Sequence, residues 1–459
     1  MDQAVETLVV GAGISGLAYA YARGTDADVL VLEASERPGG LVHTIDVDAR
    51  PGLRYERGPE ALSGSARAVR TMADELGVAM HDADKHASKR YVIKRGLPVE
   101  VPLSPPKLVT TRLLSPLAKL RLATEPFRNS TKSLEGSIAE FARHRLGREA
   151  LETLVDPMVS GIHAGDPAEL SLRACFPQLV AMIQQHGSIF NALRAQQRAT
   201  KSAPTPGLWK PAGGMQLLTT ALADKLGSRL KTGVKVRSIE SAGRGFKIRT
   251  DLGRVDAQNI VLAVPLRAAT TLLNSTLPEA ADELRTMRCE SLVGIFHAYT
   301  REQIEHPLDG FGYLVPRAEN LQHLGTLFSS TIEPACVPEG NVLLRTLAGG
   351  ARYPDLVEKG DAELARIASQ EVGTILSTFG EPVWKRIVRY PEALPRLDLK
   401  HPERLERLRQ LLPRNLCVLG NFTRGVGLSS LVDQALELAS AHQAEESVLA
   451  QGAGWTPCP

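Results

Sequence analysis

The sequence predicts an α/β fold built on a doubly wound dinucleotide-binding domain with a parallel sheet, joined to a mixed α+β substrate domain and an inserted helical region. Three observations predict it. Residues 6–32 read strand, glycine turn, helix, strand; helical and strand periodicities alternate over the rest of the chain; and 459 residues exceed what one hydrophobic core usually supports.

The opening unit carries the most information. Gly11-Ala12-Gly13-Ile14-Ser15-Gly16 is a G-x-G-x-x-G directly between a strand and the helix expected from Leu17 to Arg23. In such a crossover the first glycine permits the turn, the second lets the backbone approach a pyrophosphate, and the third lets helix and sheet pack closely. The helix N-terminus then faces the phosphates. Glu33 ends the second strand, Val29 to Leu32, where a carboxylate accepts hydrogen bonds from ribose hydroxyls and favours an unphosphorylated ribose.

A second glycine pair follows in Glu33-Ala34-Ser35-Glu36-Arg37-Pro38-Gly39-Gly40-Leu41. With this continuation the chain resembles the FAD-dependent amine oxidase and protoporphyrinogen oxidase superfamily. The resemblance implies non-covalent FAD, with the paired glycines against the pyrophosphate and ribityl chain and Arg37 offering positive charge. It adds Gly58 and Pro59, Val234 beside the adenine, and the segment Ile260 to Pro265 under the cofactor. It further adds a closing flavin motif, Gly420-Asn421-Phe422 with Gly425-Val426-Gly427-Leu428-Ser429, whose following helix is expected from about Leu431 to Leu449. A helix N-terminus there would stabilise negative charge on a reduced ring.

Within the superfamily the chain looks more like the protoporphyrinogen oxidases. Leu41 follows the glycine pair where amine oxidases usually have arginine, and aromatic content is 5%, too low to furnish an aromatic cage for an amine. Asp156 to Pro167, followed by Leu170-Ser171 and Cys175-Phe176-Pro177, is similar to a stretch typical of those enzymes. Their substrate is a bulky, mostly apolar tetrapyrrole with two propionates, which calls for a wide apolar slot and one or two fixed cations. The resemblance assigns Arg90, in Lys89-Arg90-Tyr91, to a propionate. Leu314 and Phe328 are assigned to a sandwich of pyrrole rings, with Phe311 beside them, and Gly161 to a carbonyl near the pyrrole N–H groups. The chemistry implied is removal of hydride from a bridge carbon by the flavin in three two-electron steps, with dioxygen as acceptor and hydrogen peroxide as product. No protein acid–base pair is expected, and His163 reads as structural. Glu60 and Ser429-Ser430-Leu431 depart from the family pattern and leave substrate identity open. The rivals are a coproporphyrinogen oxidase, an amine oxidase or carbon desaturase, and a non-catalytic porphyrin-binding flavoprotein.

The domain plan follows from these placements: FAD-binding over 1–84, 205–268 and 391–459; a helical insertion over 85–204 with the substrate channel; and a substrate domain over 269–390. In the insertion, helical periodicity runs through Ser137 to Val155 and Leu170 to Gln197. Pro102 to Phe127 carries Lys107, Arg112, Lys119 and Arg121 among apolar residues with no acid before Glu125, a pattern suited to an anionic membrane surface or to a plain basic helix.

Composition excludes several classes. With 54 basic and 51 acidic residues the net charge is +3, too small and evenly spread for a nucleic-acid protein. The five cysteines lack C-x-x-C spacing, which argues against a zinc site or a disulfide framework and for a reducing cytosol. No export signal precedes the first strand, and the longest uncharged window, Ala174 to Leu193, is too polar to span a bilayer. The expectation is a cytoplasmic protein without metal, peripheral membrane contact and homodimer formation being left open.

Overall fold

The computed structural model describes residues 2–64, 66–102, 105–128, 134–199 and 207–450. Two seven-stranded sheets organise the chain. The first runs Leu230–Lys231, Val29–Leu32, Gln3–Val10, Gly253–Leu262, Gly245–Thr250, Val236–Ala242, with Leu416–Val418 beside Gly253–Leu262. Its core pairs are parallel, as expected, but the last three strands of the run form an antiparallel meander. Strand Gly253–Leu262 serves both parts. Its first half pairs with the meander, and its second half lies between Gln3–Val10 and Leu416–Val418.

The reason Val29–Leu32 forms a strand is visible in its burial: all four residues are buried, and such continuous apolar runs suit a parallel sheet covered on both faces. One face is packed by the Ile14–Ala22, Gln216–Leu226 and Leu428–Ala450 helices through Leu17, Ala18, Leu218, Leu222, Val432 and Ala435. The other is packed by Leu266–Leu273 and Pro278–Thr286 through Leu273, Ala281 and Leu284.

The second sheet runs Trp384–Pro395, Cys289–Thr300, Asn341–Gly349, Gly325–Leu327, Gly312–Leu314, Tyr91–Lys94, Leu97–Glu100. This redraws the expected boundaries. Residues 91–100 belong to the substrate sheet and not to a helical insertion, because Tyr91 and Val92 pair in parallel with Tyr313 and Leu314, far along the chain. The sheet also continues past residue 390, to Pro395. The helical region proper starts at Pro105, and its expected long helices are broken. Ile138–Arg145 is closed at its start by a reciprocal Ser137 and Glu140 capping box, and Gly147 (φ +96°) and a π-turn over Leu151–Val155 separate it from Asp156–His163. The last helix begins at Leu428, three residues earlier than read from the sequence.

Candidate active site

The cofactor cleft is built from the glycine crossover upward. Gly11 holds φ +101°, and its N–H donates to Leu32 O at 2.7 Å. A Cβ on Gly11 would strike the Ala263 carbonyl, and one on Gly16 would strike the Gly11 carbonyl, so both positions require glycine. Gly13 differs, since nothing lies within 4 Å of an added Cβ. Its open side is where a diphosphate has room to reach the backbone at the start of the helix containing Ile14, Ser15 and Gly16.

Glu33 sits against this turn. Its carboxylate accepts from the Ala12 N–H at 2.8 Å and from the Ser35 N–H at 2.9 Å. Ala34 between them is exposed. The second glycine pair closes over the first: Gly39 bridges Gly13, and its N–H donates to Ala12 O at 2.7 Å. Gly39 (φ +104°) and Gly40 (φ +58°) both occupy backbone space that glycine favours. Leu41 is exposed, and Gly58 packs so closely on the Leu41 carbonyl that a side chain would not fit. Pro59 follows in the same segment, half-buried.

Three of the expected cofactor residues have polar groups engaged within the protein. Arg37 is committed to its own loop, donating to the carbonyls of Pro38 (2.7 Å), Val42 (3.1 Å) and Gly40 (2.5 Å), so it braces the glycine pair. Val234 is buried at the end of the same edge, but its N–H is donated to Glu33 O at 2.8 Å, so that N–H is taken by the fold. In the closing motif, Asn421 donates through Nδ2 to Ala393 O at 2.8 Å, tying the turn after Gly420 to the substrate sheet. Val426, Gly427 and buried Leu428 lead into the last helix, where Leu431 N–H reaches Gly427 O, and that helix packs along Ile14–Ala22.

On the substrate side, Arg90 is half-buried. Its guanidinium donates to the carbonyls of Ala87 and Ser88 and lies 4.7 Å over the Phe311 ring. Burial lowers its pKa, and no carboxylate pairs with it among the described residues. Flanking groups hold the element in place: Lys89 and Tyr91 both bond Asp309, the tyrosine at 2.7 Å, while Phe311 N–H donates to Lys89 O. Gly161 lies in the Asp156–His163 helix against Leu314. Met158 and Ile162, four residues apart on that helix, are exposed and apolar.

Phe328 is not part of this surface. It is 0% exposed, in a cluster with Tyr299, Tyr313 and Leu344. The register explains it: Tyr313 pairs with Thr326 and Leu314 with Gly325, and Phe328 bonds back to Phe311. Phe328 therefore shares Tyr313's face of the sheet, opposite Leu314. The expected sandwich between Leu314 and Phe328 does not form. His163 is buried edge-on to Phe176 at 5.5 Å, and burial pushes its pKa down to about 4, so it is a neutral core residue.

Sequence reasoning missed a buried ionic cluster around Lys210, on the short strand Leu208–Pro211. Lys210 contacts Glu56 at 3.1 Å and Glu333 at 2.5 Å, all three nearly inaccessible to solvent. Burial alone would depress the Lys210 ammonium, but Glu56, Glu60 and Glu333 outweigh it and hold its pKa above the usual value. Glu56 is pushed up mainly by burial, with Glu60 adding to the rise, against the lowering by Lys210 and the Met215 N–H. Glu60, out of place in the sequence pattern, meets Arg345 at 3.4 Å. Of the cysteines, Cys175, Cys289 and Cys336 are free thiols. Cys458 lies outside the described residues.

Residues 14–441 match the family model for flavin-containing amine oxidoreductases. The chain belongs to that family. As a flavin-containing amine oxidoreductase it is an FAD-dependent oxidoreductase, and the open Gly13, the Glu33 carboxylate and the orphaned Nδ1 of His43 fit a dinucleotide. Chloroplastic protoporphyrinogen oxidase of Nicotiana tabacum is 31% identical over 95% of this chain and 85% of its own length. Coproporphyrinogen III oxidase of Bacillus subtilis (strain 168) is 26% identical over 94% of this chain and 97% of its own. Among solved structures, one from Exiguobacterium sp. 255-15, whose name places it provisionally among protoporphyrinogen oxidases, superposes with a TM-score of 0.80 at 25% identity. It covers 96% of this chain and 99% of its own.

Proposed function

We propose that this flavoenzyme oxidises protoporphyrinogen IX to protoporphyrin IX, with dioxygen as acceptor and hydrogen peroxide as product. The carrying observation is Arg90, a half-buried guanidinium that, among the described residues, bonds only carbonyls and a ring face; two residues along, Val92 pairs with Leu314, against which the helix bearing exposed Met158 and Ile162 packs through Gly161. A cation held in this way is matched by a ligand carboxylate, and a propionate supplies one. Bound FAD supplies the hydride acceptor for each two-electron step. The protein's part is to anchor a propionate at Arg90, lay the macrocycle on the apolar slot and keep competing polar groups away. No side-chain base is required of His163, which is buried and neutral.

A second reading, oxidation of coproporphyrinogen III, is favoured by the Bacillus subtilis relative. Four propionates would need more unmatched cations. Lys89 is already paired with Asp309, and Arg317 with Asp166, which favours the substrate with two. Aerobic incubation with each porphyrinogen, following porphyrin fluorescence and peroxide, tests the choice. Faster turnover of coproporphyrinogen moves the assignment to the second reading, and turnover of neither ends both.

The reading includes contact with a membrane surface. Leu117, Leu120 and Phe127 are exposed, Phe127 at 86%, close in sequence to Lys119 and Arg121, a combination suited to anionic lipid. Among the described residues no helix is long and apolar enough to cross a membrane. Co-sedimentation with anionic but not neutral vesicles, lost in Leu117→Ser/Phe127→Ser, tests the contact.

A further inference from the structure

The backbone at Arg57 is pinned from two sides. Its N–H donates to His43 O at 2.8 Å, and its carbonyl accepts from Arg345 Nη2 at 3.4 Å. The next carbonyl, Gly58 O, accepts from Arg345 Nη1 at 2.6 Å, and Gly58 is seated beneath Leu41. Arg345 is itself buried between the rings of Phe296 and Tyr390 and bonded to Glu60. The substrate sheet thus fixes where the 57–60 segment lies relative to the cofactor loop.

The Arg57 side chain is treated differently from its backbone. It is exposed, and no hydrogen bond or carboxylate holds it among the described residues. Its neighbourhood is short of negative charge. Arg37 is bonded to carbonyls, and His43 has a buried Nδ1 with no partner. Of the acids close in sequence, Glu33 is engaged by the Ala12 and Ser35 N–H groups, Glu56 by Lys210 and Glu60 by Arg345, while Glu36 lies against Gly233. Burial, then Arg37 and Arg57 together, hold the His43 pKa below its usual value, so these groups sense one another. A self-repelling set of this kind, next to the loop whose Gly39 lies against Arg37 and bridges Gly13, is balanced by an incoming anion.

We propose that Arg57 is a cofactor-binding residue, supplying the cation that balances the anionic part of bound FAD. FAD offers negative charge at its diphosphate and, when reduced, on its ring, and both sources present the same chemistry to a guanidinium. The role is affinity and charge balance, since the exposed side chain holds no part of the fold together.

The test uses the full chain as holoenzyme and after FAD removal, in Arg57→Ala, Arg57→Lys and Arg57→Gln forms. FAD is titrated back by flavin fluorescence, without substrate, and the flavin midpoint potential is measured on the reloaded protein. Removing the charge-assisted contact is expected to weaken FAD roughly ten-fold in Arg57→Ala and Arg57→Gln, with Arg57→Lys retaining most of the affinity. The unfolding midpoint of the cofactor-free protein should not move. A loss that is equal for oxidised and reduced FAD assigns the contact to the diphosphate. Intact affinity for oxidised FAD with a lowered midpoint potential assigns it to the reduced ring. Wild-type affinity in both redox states, for both charge-removing variants, overturns the proposal.

Discussion

Leu314 and Gly161 fit so closely that a Cβ added to the glycine would stand 2.6 Å from Leu314 Cδ2. The absent side chain lets the Asp156–His163 helix approach the substrate sheet, and Arg352 locks that approach by bonding both Asp156 and Ser160 at 2.8 Å. Gly161→Ala should displace Leu314 at a cost of about 1–3 kcal/mol. The expected result is a raised KM at unchanged flavin content, relieved in Gly161→Ala/Leu314→Ala. Unaltered kinetics in the single variant would remove this contact from the slot.

Arg90→Ala should raise KM for the porphyrinogen by roughly 10- to 100-fold, the worth of a charge-assisted hydrogen bond of about 1.5–3 kcal/mol. Flavin content should stay intact, because among the described residues Arg90 bonds only Ala87, Ser88, Lys89 and the Phe311 face. Steady-state kinetics beside an absorbance measurement of bound flavin separates the two. Unchanged kinetics would cancel the propionate assignment.

Glu33→Ala should lower FAD occupancy in purified protein, because Glu33 orders the glycine turn through Ala12 from the end of the Val29–Leu32 strand. A loss of about 1.5–3 kcal/mol corresponds to roughly 10- to 100-fold in affinity. Glu33→Gln retains an acceptor and should fall in between. Full occupancy in both variants would place the ribose contact elsewhere.

Acid should weaken the fold before the carboxylates titrate. Burial pushes His163, His297 and His401 down to about 4, from 6.5 in the unfolded chain. Between those values the unfolded state binds more protons, so stability is complete above pH 6.5 and declines as pH falls towards 4. Urea midpoints measured from pH 7.5 to 4.5 should fall along this window, and His163→Phe should flatten the slope. A midpoint independent of pH over that range would show these rings to be solvated.

What could be read from the sequence was local. The strand Val29–Leu32, the Gly11 turn and Glu33 were legible because each rests on a few adjacent residues whose chemistry admits one geometry. The pairing of Tyr91 with Tyr313 was not, since a parallel partner more than two hundred residues away leaves no local trace. The same holds for Glu60, whose oddity in the sequence is resolved only when Arg345 arrives beside it. Phe328 was misplaced for a subtler reason. An aromatic residue beside a pocket strand looks alike on either face, and only the register with Phe311 and Tyr313 decides which way it turns.

The strand Gly253–Leu262 also dictates when the cleft comes into being. Its second half is flanked by a partner near residue 10 and another near residue 418, so the wall behind Gly11 is complete only after residue 418 has left the ribosome. Nascent chains must hold the Gly11 turn unclosed until Leu416–Val418 has been made, and a product cut short before that strand would emerge with the wall behind Gly11 open on one side.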